Sequence, residues 1–467
     1  MTQKVKNADN ALLASQTPQS SSEFLSAYFR RLRGGDLGPL PIVLGLIIIA
    51  IIFQSQNSNF LTSKNFVNLI VQMTGITTIA YGVVFILILG EIDLSIGYVS
   101  AVSAVAMTMM LRSSLPIYVA FGVAILATAS VGFLVWRLLQ RFTPDRNLRI
   151  LGTTLFCSAL MLALTILMGY FALPWYLALP ISLLAALGIG LIQGFLITTF
   201  QLPAFVVTLA GLLAWNGVVL ILIGNGGTVI LQDATMLALA NTYLPPVIGW
   251  LVGLVVVAGY VLVQLWTYTT RQRQGLVTMP LPVLVVQTVF LALLIGIVIY
   301  ICNLERGVPF AGVILGVLLF ALSYLANNTR FGRYAFAIGG NAEAARRAGI
   351  NVGQIRVIIF MISSFMAGIG GVILASRLRS VDTNAGGGNL VLNSIASAVI
   401  GGTSLFGGSG KVSSAILGAL VIASVENGMG LLGLPSGVKF VVTGLVLLIA
   451  VIVDSVSRRN QKKSGLR

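Results

Sequence analysis

Histidine is missing altogether from this chain of 467 residues, and acidic residues number only 12. Without histidine there is no imidazole for acid–base work, and the commonest zinc ligand is gone. Cysteine occurs twice, as Cys157 and Cys302, each in or beside an apolar run. Two isolated thiols in such settings read as packing residues, not as a disulfide or a metal pair. Charge of either sign is scarce, at 9% of residues, against about 25% in an ordinary soluble domain. No polar stretch is long enough to build a soluble domain. The N-terminus also lacks an apolar core followed by a small-residue cleavage site. Residues 1–38, polar and then basic at Arg30, Arg31 and Arg33, are therefore expected to form a disordered cytoplasmic tail against the membrane surface.

What is present is grease. Hydrophobic residues make up 57% of the chain and mean hydropathy is +1.00. Apolar runs of about 20 residues recur, each long enough to cross a bilayer as a helix. They lack the alternation of barrel strands, so an all-α polytopic transmembrane bundle is expected. Candidate spans fall at 39–53, 66–89, 92–111, 116–139, 150–170, 174–200, 205–224, 245–268, 281–301, 308–326, 356–375, 390–406, 412–432 and 438–454. That is about fourteen, within a range of ten to fourteen. Internal glycine or polar residues mark 66–89 and 390–406 as candidates for broken or re-entrant segments. The whole reads as a transmembrane domain over 39–454 and a basic cytoplasmic tail over 455–467.

The net charge of +16 would suggest nucleic acid on a soluble protein. No aromatic–basic platform accompanies it, so nucleic-acid binding is set aside. Basic residues instead cluster in alternate connections: Arg137, Arg141, Arg146 and Arg149; Arg271 and Arg273; Arg330, Arg333, Arg346, Arg347 and Arg356; Lys411; and both tails. Six of the 28 Lys and Arg are left for the other side. This asymmetry places both termini in the cytoplasm.

With that orientation the polar stretch "IGGNAEAARRAGINV" lies inside, in a loop spanning 327–356. Asn341 suits an N-cap and Glu343 suits the positive end of the helix dipole. Ala342, Ala344 and Ala345 favour helix and keep the surface smooth. Gly349 can supply the left-handed stop. A helix of two or three turns is expected, too short to be stable alone. It is either a solvated connector or a docking helix, oriented by Glu343 and the pair Arg346 and Arg347.

Other polar groups stand out against the apolar background. Glu91 and Asp93 precede a span, with Asp93 or Ser95 as its cap. Glu426 and Asn427 lie well inside an apolar run. A carboxylate there costs at least about 2.5 kcal/mol if it faces lipid, so an inward face or a water-filled path is expected. Asn216 beside Trp215, and Asn393 with Ser394, are similar inward candidates, each also able to make an interhelical hydrogen bond. No chain of acidic groups suggests a proton relay. "GGTSLFGGSGKVS" is no phosphate loop: Leu405 stands where the first glycine belongs and Val412 where Ser or Thr belongs. Its glycines and serines permit close helix packing or bent backbone lining a cavity. Segments 79–104 and 395–419 are weakly alike, a hint of internal duplication.

"EAARRAG" resembles the EAA-x-x-x-G pattern of permease subunits of bacterial ABC importers. "GEIDLSIGYVSA" (90–101), "LPAFVVTLAGLLAWNG" (202–217), "AIGGNAEAARRAGINV" (337–352), "AVIGGTSLFGGSGKVSSAILGAL" (398–420) and "VENGM" (425–429) are similar to segments of the ribose, xylose and arabinose permeases within that group. The xylose type also carries an extra stretch like 243–309. Family members have about ten spans, so 116–170 resembles an added helix pair. The resemblance implies that 341–349 docks into a groove of a separate ATPase subunit. It implies a second permease subunit, forming a homodimer, and a sugar-binding protein outside. It implies no cofactor on this chain, with ATP and Mg held by the ATPase, and a substrate that is a pentose such as xylose. The translocation path or gate would draw on Glu91, Asp93, Ser95, Asn216, Asn393, Glu426 and Asn427. Other solutes, such as branched-chain amino acids, and ion-coupled transport or a membrane scaffold remain alternatives at this point.

Overall fold

The computed structural model describes residues 40–142, 145–275, 280–446, 448 and 452. The expected tails, 1–38 with its arginines and 455–467, lie outside the described residues. The helices, in chain order, are α1 Leu40–Gln56, α2 Ser63–Ile88, α3 Ile96–Arg112, α4 Ile117–Phe142, α5 Arg146–Tyr170, α6 Trp175–Thr199 and α7 Ala204–Ile223. There follow α8 Ala234–Asn241, α9 Pro246–Arg273, α10 Leu281–Asn303, α11 Phe310–Asn328, α12 Arg330–Gly340, α13 Ala342–Arg347, α14 Val352–Leu378, α15 Leu390–Ile400 and α16 Ser414–Leu431. A last apolar helix, α17, covers Ser436–Val446. Four short strands, β1 Thr228–Ile230, β2 Tyr243–Leu244, β3 Val308–Pro309 and β4 Ser380–Asp382, make two antiparallel pairs, β1 with β4 and β2 with β3. The fold is an all-α polytopic bundle. Among the described residues ten helices are long and apolar enough to cross a membrane. Four shorter apolar helices, α1, α3, α15 and α17, overlap the other four expected spans.

The centre of the bundle is α14, packed against α6, α2 and α3. These helices approach closely because small residues line the contacts. A Cβ on Gly82 would lie 2.9 Å from the backbone of Ser363, and one on Gly370 would lie 2.9 Å from the Gly75 carbonyl oxygen. Lipid tails are as apolar as leucine, so close backbone approach, not exclusion of water, holds membrane helices together. The pair α4 and α5 attaches outside this core. α4 packs on α6 and α5 packs on α4, with Arg149 stacked 5.3 Å over the Trp136 ring.

Two expectations change and one holds. Residues 66–89 form no break, because α2 runs continuously. Thr74, Thr77 and Thr78 turn their hydroxyls back to carbonyls four residues earlier, at 2.7, 2.7 and 2.8 Å, so polar side chains are satisfied without opening the helix. In 390–406 the helix does stop at Ile400, and irregular backbone continues to Ser413 with Gly402, Gly407 and Gly408 at positive φ. The docking helix is also shorter than expected: α13 has six residues, and the preceding polar stretch folds separately as α12.

Candidate functional site

Asn341 ends α12 and caps α13, its Oδ1 accepting the Ala344 amide at 2.9 Å. Glu343 sits in the first turn and pairs with Arg346 at 3.0 Å and Arg347 at 3.3 Å. All three are well exposed, so each pair is worth about 0.3–0.5 kcal/mol. Their value is orientation of a charged surface. Gly349 takes φ +83°. Its amide reaches the Arg346 carbonyl and that of Ile350 reaches Ala345, closing a Schellman stop. Ala345 is the buried anchor, packed with Ile338 and Val352, while Ala344 stays exposed.

Behind α13 the backbone is knotted. The Gly408 amide donates to the Ile88 carbonyl at 2.9 Å. A Cβ on Gly339 would lie 2.7 Å from the Gly408 nitrogen and closer still to the Ile88 oxygen. Gly90, at φ +78°, lies against Phe406 and Gly407. The glycine-rich stretch after α15 therefore serves as the seat on which α12 and the α2–α3 loop meet. Beside the knot, Glu91 and Arg356 form an ion pair at 2.6 Å. Both line a cleft of about 890 Å³ together with Arg346, Gln201 and Asn351.

Deeper along the loop, Asp93 is buried. Its Oδ1 accepts the Ser95 amide at 2.9 Å and the Ser95 hydroxyl at 2.7 Å. Ser95 precedes α3 and makes no side-chain cap, and Asp93 holds Ser95 itself and reaches no amide of the helix's first turn. Gln193 of α6 donates to the Ser95 hydroxyl oxygen at 2.8 Å, and Thr208 of α7 donates to the Ile92 carbonyl at 3.3 Å. Asn216 is half-buried on α7 and joins none of these bonds; Gly211, one turn earlier, is the residue that packs on Gln193 and Ser95.

The remaining candidates lie at the opposite end of the bundle, in two separate contacts. The Asn393 amide of α15 donates to Glu426 of α16. Arg377 and Lys439 bring positive charge toward the same carboxylate. Asn427 faces elsewhere, exchanging hydrogen bonds with Asn65 at 2.8 and 3.0 Å and donating to Gln72 at 3.3 Å. So the neighbours Glu426 and Asn427 serve two separate contacts, and the seven path candidates form two groups with Asn216 apart.

Comparison with known proteins fixes the family. A family profile described as "Branched-chain amino acid transport system / permease component" matches residues 147–451. The xylose transport system permease protein of Haemophilus influenzae is 32% identical over 428 residues, 90% of this chain and 97% of that protein. Its Escherichia coli K12 counterpart is 32% identical over 436 residues, 93% and 96% of the two chains. The ribose import permease protein of Escherichia coli K12 is 41% identical over 149 residues, 32% of this chain and 46% of that protein. The chain belongs to the sugar permeases of ABC importers. No solved structure matches it at comparable significance. The permease is a multi-pass membrane protein and a transport subunit, with ATP hydrolysis assigned to a separate ATPase subunit.

Several groups in this permease escape a reading of the sequence. Gln193 is a lone amide in the apolar run "LGIGLIQGFL", and its isolation there is the signal for an inward position. Arg356 reads as one more basic residue of an inner loop, and nothing in its spacing announces Glu91. Asn65 and Gln72 lie seven residues apart, two turns along α2, a spacing that puts them on one face.

Proposed function

We propose that this permease is the membrane-spanning subunit of an ATP-driven importer that carries a monosaccharide, a pentose such as xylose, across the inner membrane. One observation carries the sugar reading: the likeness to xylose permeases covers at least nine-tenths of both chains. The family profile, whose description names branched-chain amino acids, covers only 147–451. In this reading both termini are cytoplasmic and α13 faces the cytoplasm. Asn341 and Gly349 hold the ends of the coupling helix, Ala345 anchors it, and Ala344 leaves room for the ATPase to approach. Glu343 with Arg346 sets the orientation of docking. Two permease copies enclose the path, two ATPase subunits hold ATP and Mg, and a sugar-binding protein delivers substrate to the end bearing the strand pairs. Glu91, Asp93 and Ser95 act at the inner end of the path, and Asn393 with Glu426 at the outer end. Asn427 ties α16 to α2 there, and Asn216 faces the path from α7.

The test is purification from the native membrane beside a Glu343→Arg variant. An ATPase subunit should accompany the unaltered permease and be lost from the variant. Equal retention would remove α13 as the dock. A permease that comes alone under several mild detergents, yet stays folded, would favour an ion-coupled transporter.

A further inference from the structure

Glu91 and Arg356 come from elements far apart in sequence, 265 positions, and meet in the lining of the cleft. Arg356 lies in the first turns of α14, directly after the α13 stop. Glu91 lies in the loop that leads into α3 through the Asp93–Ser95 contact. The side chains are 29% and 13% exposed, so the pair is largely shielded from water and salt. Only one carboxylate oxygen is engaged; Glu91 Oε2 and Arg356 Nε are both buried with no hydrogen-bond partner, so the contact is an ion pair and not an aligned hydrogen bond. On its other side the same loop is held at Ile88 and Gly90 by the glycine knot beneath α12. The α2–α3 loop is thus held on one side by the Arg356 side chain of α14 and on the other by Gly339 of α12 together with the glycine stretch after α15. α3 in turn connects, through Ser95, to Gln193 of α6 and, through Ile92, to Thr208 of α7.

We infer that the Glu91–Arg356 pair is a positioning latch. It makes the α12–α13–α14 unit and the inner end of α3 one mechanical body, so that a push on α13 is delivered to α3 and the helices bonded to it. The glycine knot supplies contact, and the ion pair supplies direction. A buried pair is a weak source of net stability but a strong determinant of which groups sit together. Removal of one partner leaves the other charge unpaired and lowers stability, so the latch shows itself in the motion delivered by variants that still fold.

This inference rests on the coupling reading of α13, and its test separates the two. The complete transporter, permease with ATPase and sugar-binding protein in proteoliposomes, is assayed for xylose moved per ATP hydrolysed. Glu91→Gln and Arg356→Gln are compared with the swap Glu91→Arg/Arg356→Glu. Arg356→Gln, whose residue is not assigned to the path, should retain its ATPase subunits and move about tenfold less sugar per ATP, as should Glu91→Gln, and the swap should recover most of the ratio. An unchanged ratio in the single variants, or a swap no better than they are, overturns the latch. Loss of the ATPase from the unaltered permease overturns the coupling reading instead. Independently of any solute, spin labels at Arg347→Cys on α13 and Arg112→Cys at the far end of α3, with Cys157 and Cys302 replaced, measure how rigidly α3 follows α13. One narrow distance is expected in the unaltered background, with at least twofold broadening in Glu91→Gln. Equal widths would overturn the latch even where transport is not observed.

Discussion

Gly339→Ala probes the seat of the coupling helix with a single methyl group. The added carbon would sit 2.7 Å from the Gly408 nitrogen and 2.9 Å from the Ile88 carbonyl carbon, with the carbonyl oxygen closer still. Comfortable carbon contacts begin at about 3.5 Å, and the Ile88 carbonyl oxygen is the nearest atom, so α12 must slide by well over about 1 Å off the end of α2. The atoms in the way are backbone and cannot rotate aside. Overpacking of this kind costs about 1–3 kcal/mol. The slide also stretches the 2.9 Å bond from Gly408 to Ile88, and a buried backbone group left unpaired adds about 1–3 kcal/mol. The adjacent Gly340→Ala is the control. A Cβ there meets no atom within 4 Å, and alanine is the better helix former. In mild detergent, thermal unfolding should come several degrees lower for Gly339→Ala and be unchanged or higher for Gly340→Ala. Uptake in cells should fall only for the first. Equal melting and equal uptake in the two variants would refute the packing of α12 on α2 and the glycine stretch.

Other perturbations have equally definite outcomes. Asn393→Leu leaves the Glu426 carboxylate without its amide partner and should destabilise by about 1.5–3 kcal/mol, while Asn393→Leu/Glu426→Gln recovers part of that; thermal unfolding of the purified permease measures both. Gly349→Ala puts a side chain at φ +83° where space is open, so only backbone strain of about 1 kcal/mol is added, and Gly349→Trp should abolish uptake while the protein still inserts, both read by uptake against membrane level. Burial pushes the Glu91 carboxyl above its ordinary value of 4.5, with Arg356 pulling it back in part. A raised value favours the protonated form in the fold, so this group's contribution is greatest below 4.5 and declines as pH rises through the raised value; unfolding followed across that window should lose this slope in Glu91→Gln.

Composition and run length were enough to read a helical membrane bundle, because lipid permits few alternatives to a helix. The ends of α13 could be read too, since Asn341 and Gly349 act through local backbone geometry that sequence specifies directly. What joins distant segments could not. The Glu91–Arg356 pair and the bond between Asn65 and Asn427 bridge hundreds of positions, and no spacing rule links their ends. Glycines misled in one place and informed in another: Gly75 and Gly82 admit neighbouring helices without breaking α2, whereas Gly402, Gly407 and Gly408 adopt positive φ and end the regular structure. A glycine's role depends on what lies opposite it, which only the fold supplies. Asn216 shows the same limit, since its helix face was not fixed by being polar in an apolar run.

The most direct measurement is sugar accumulation by the reconstituted transporter. Proteoliposomes carrying the permease and its ATPase, with the sugar-binding protein outside and ATP inside, should accumulate labelled xylose. Omission of ATP or of the ATPase should abolish accumulation. Accumulation by the permease alone, driven by an imposed proton or sodium gradient and indifferent to ATP, would contradict the assignment as an ABC importer subunit.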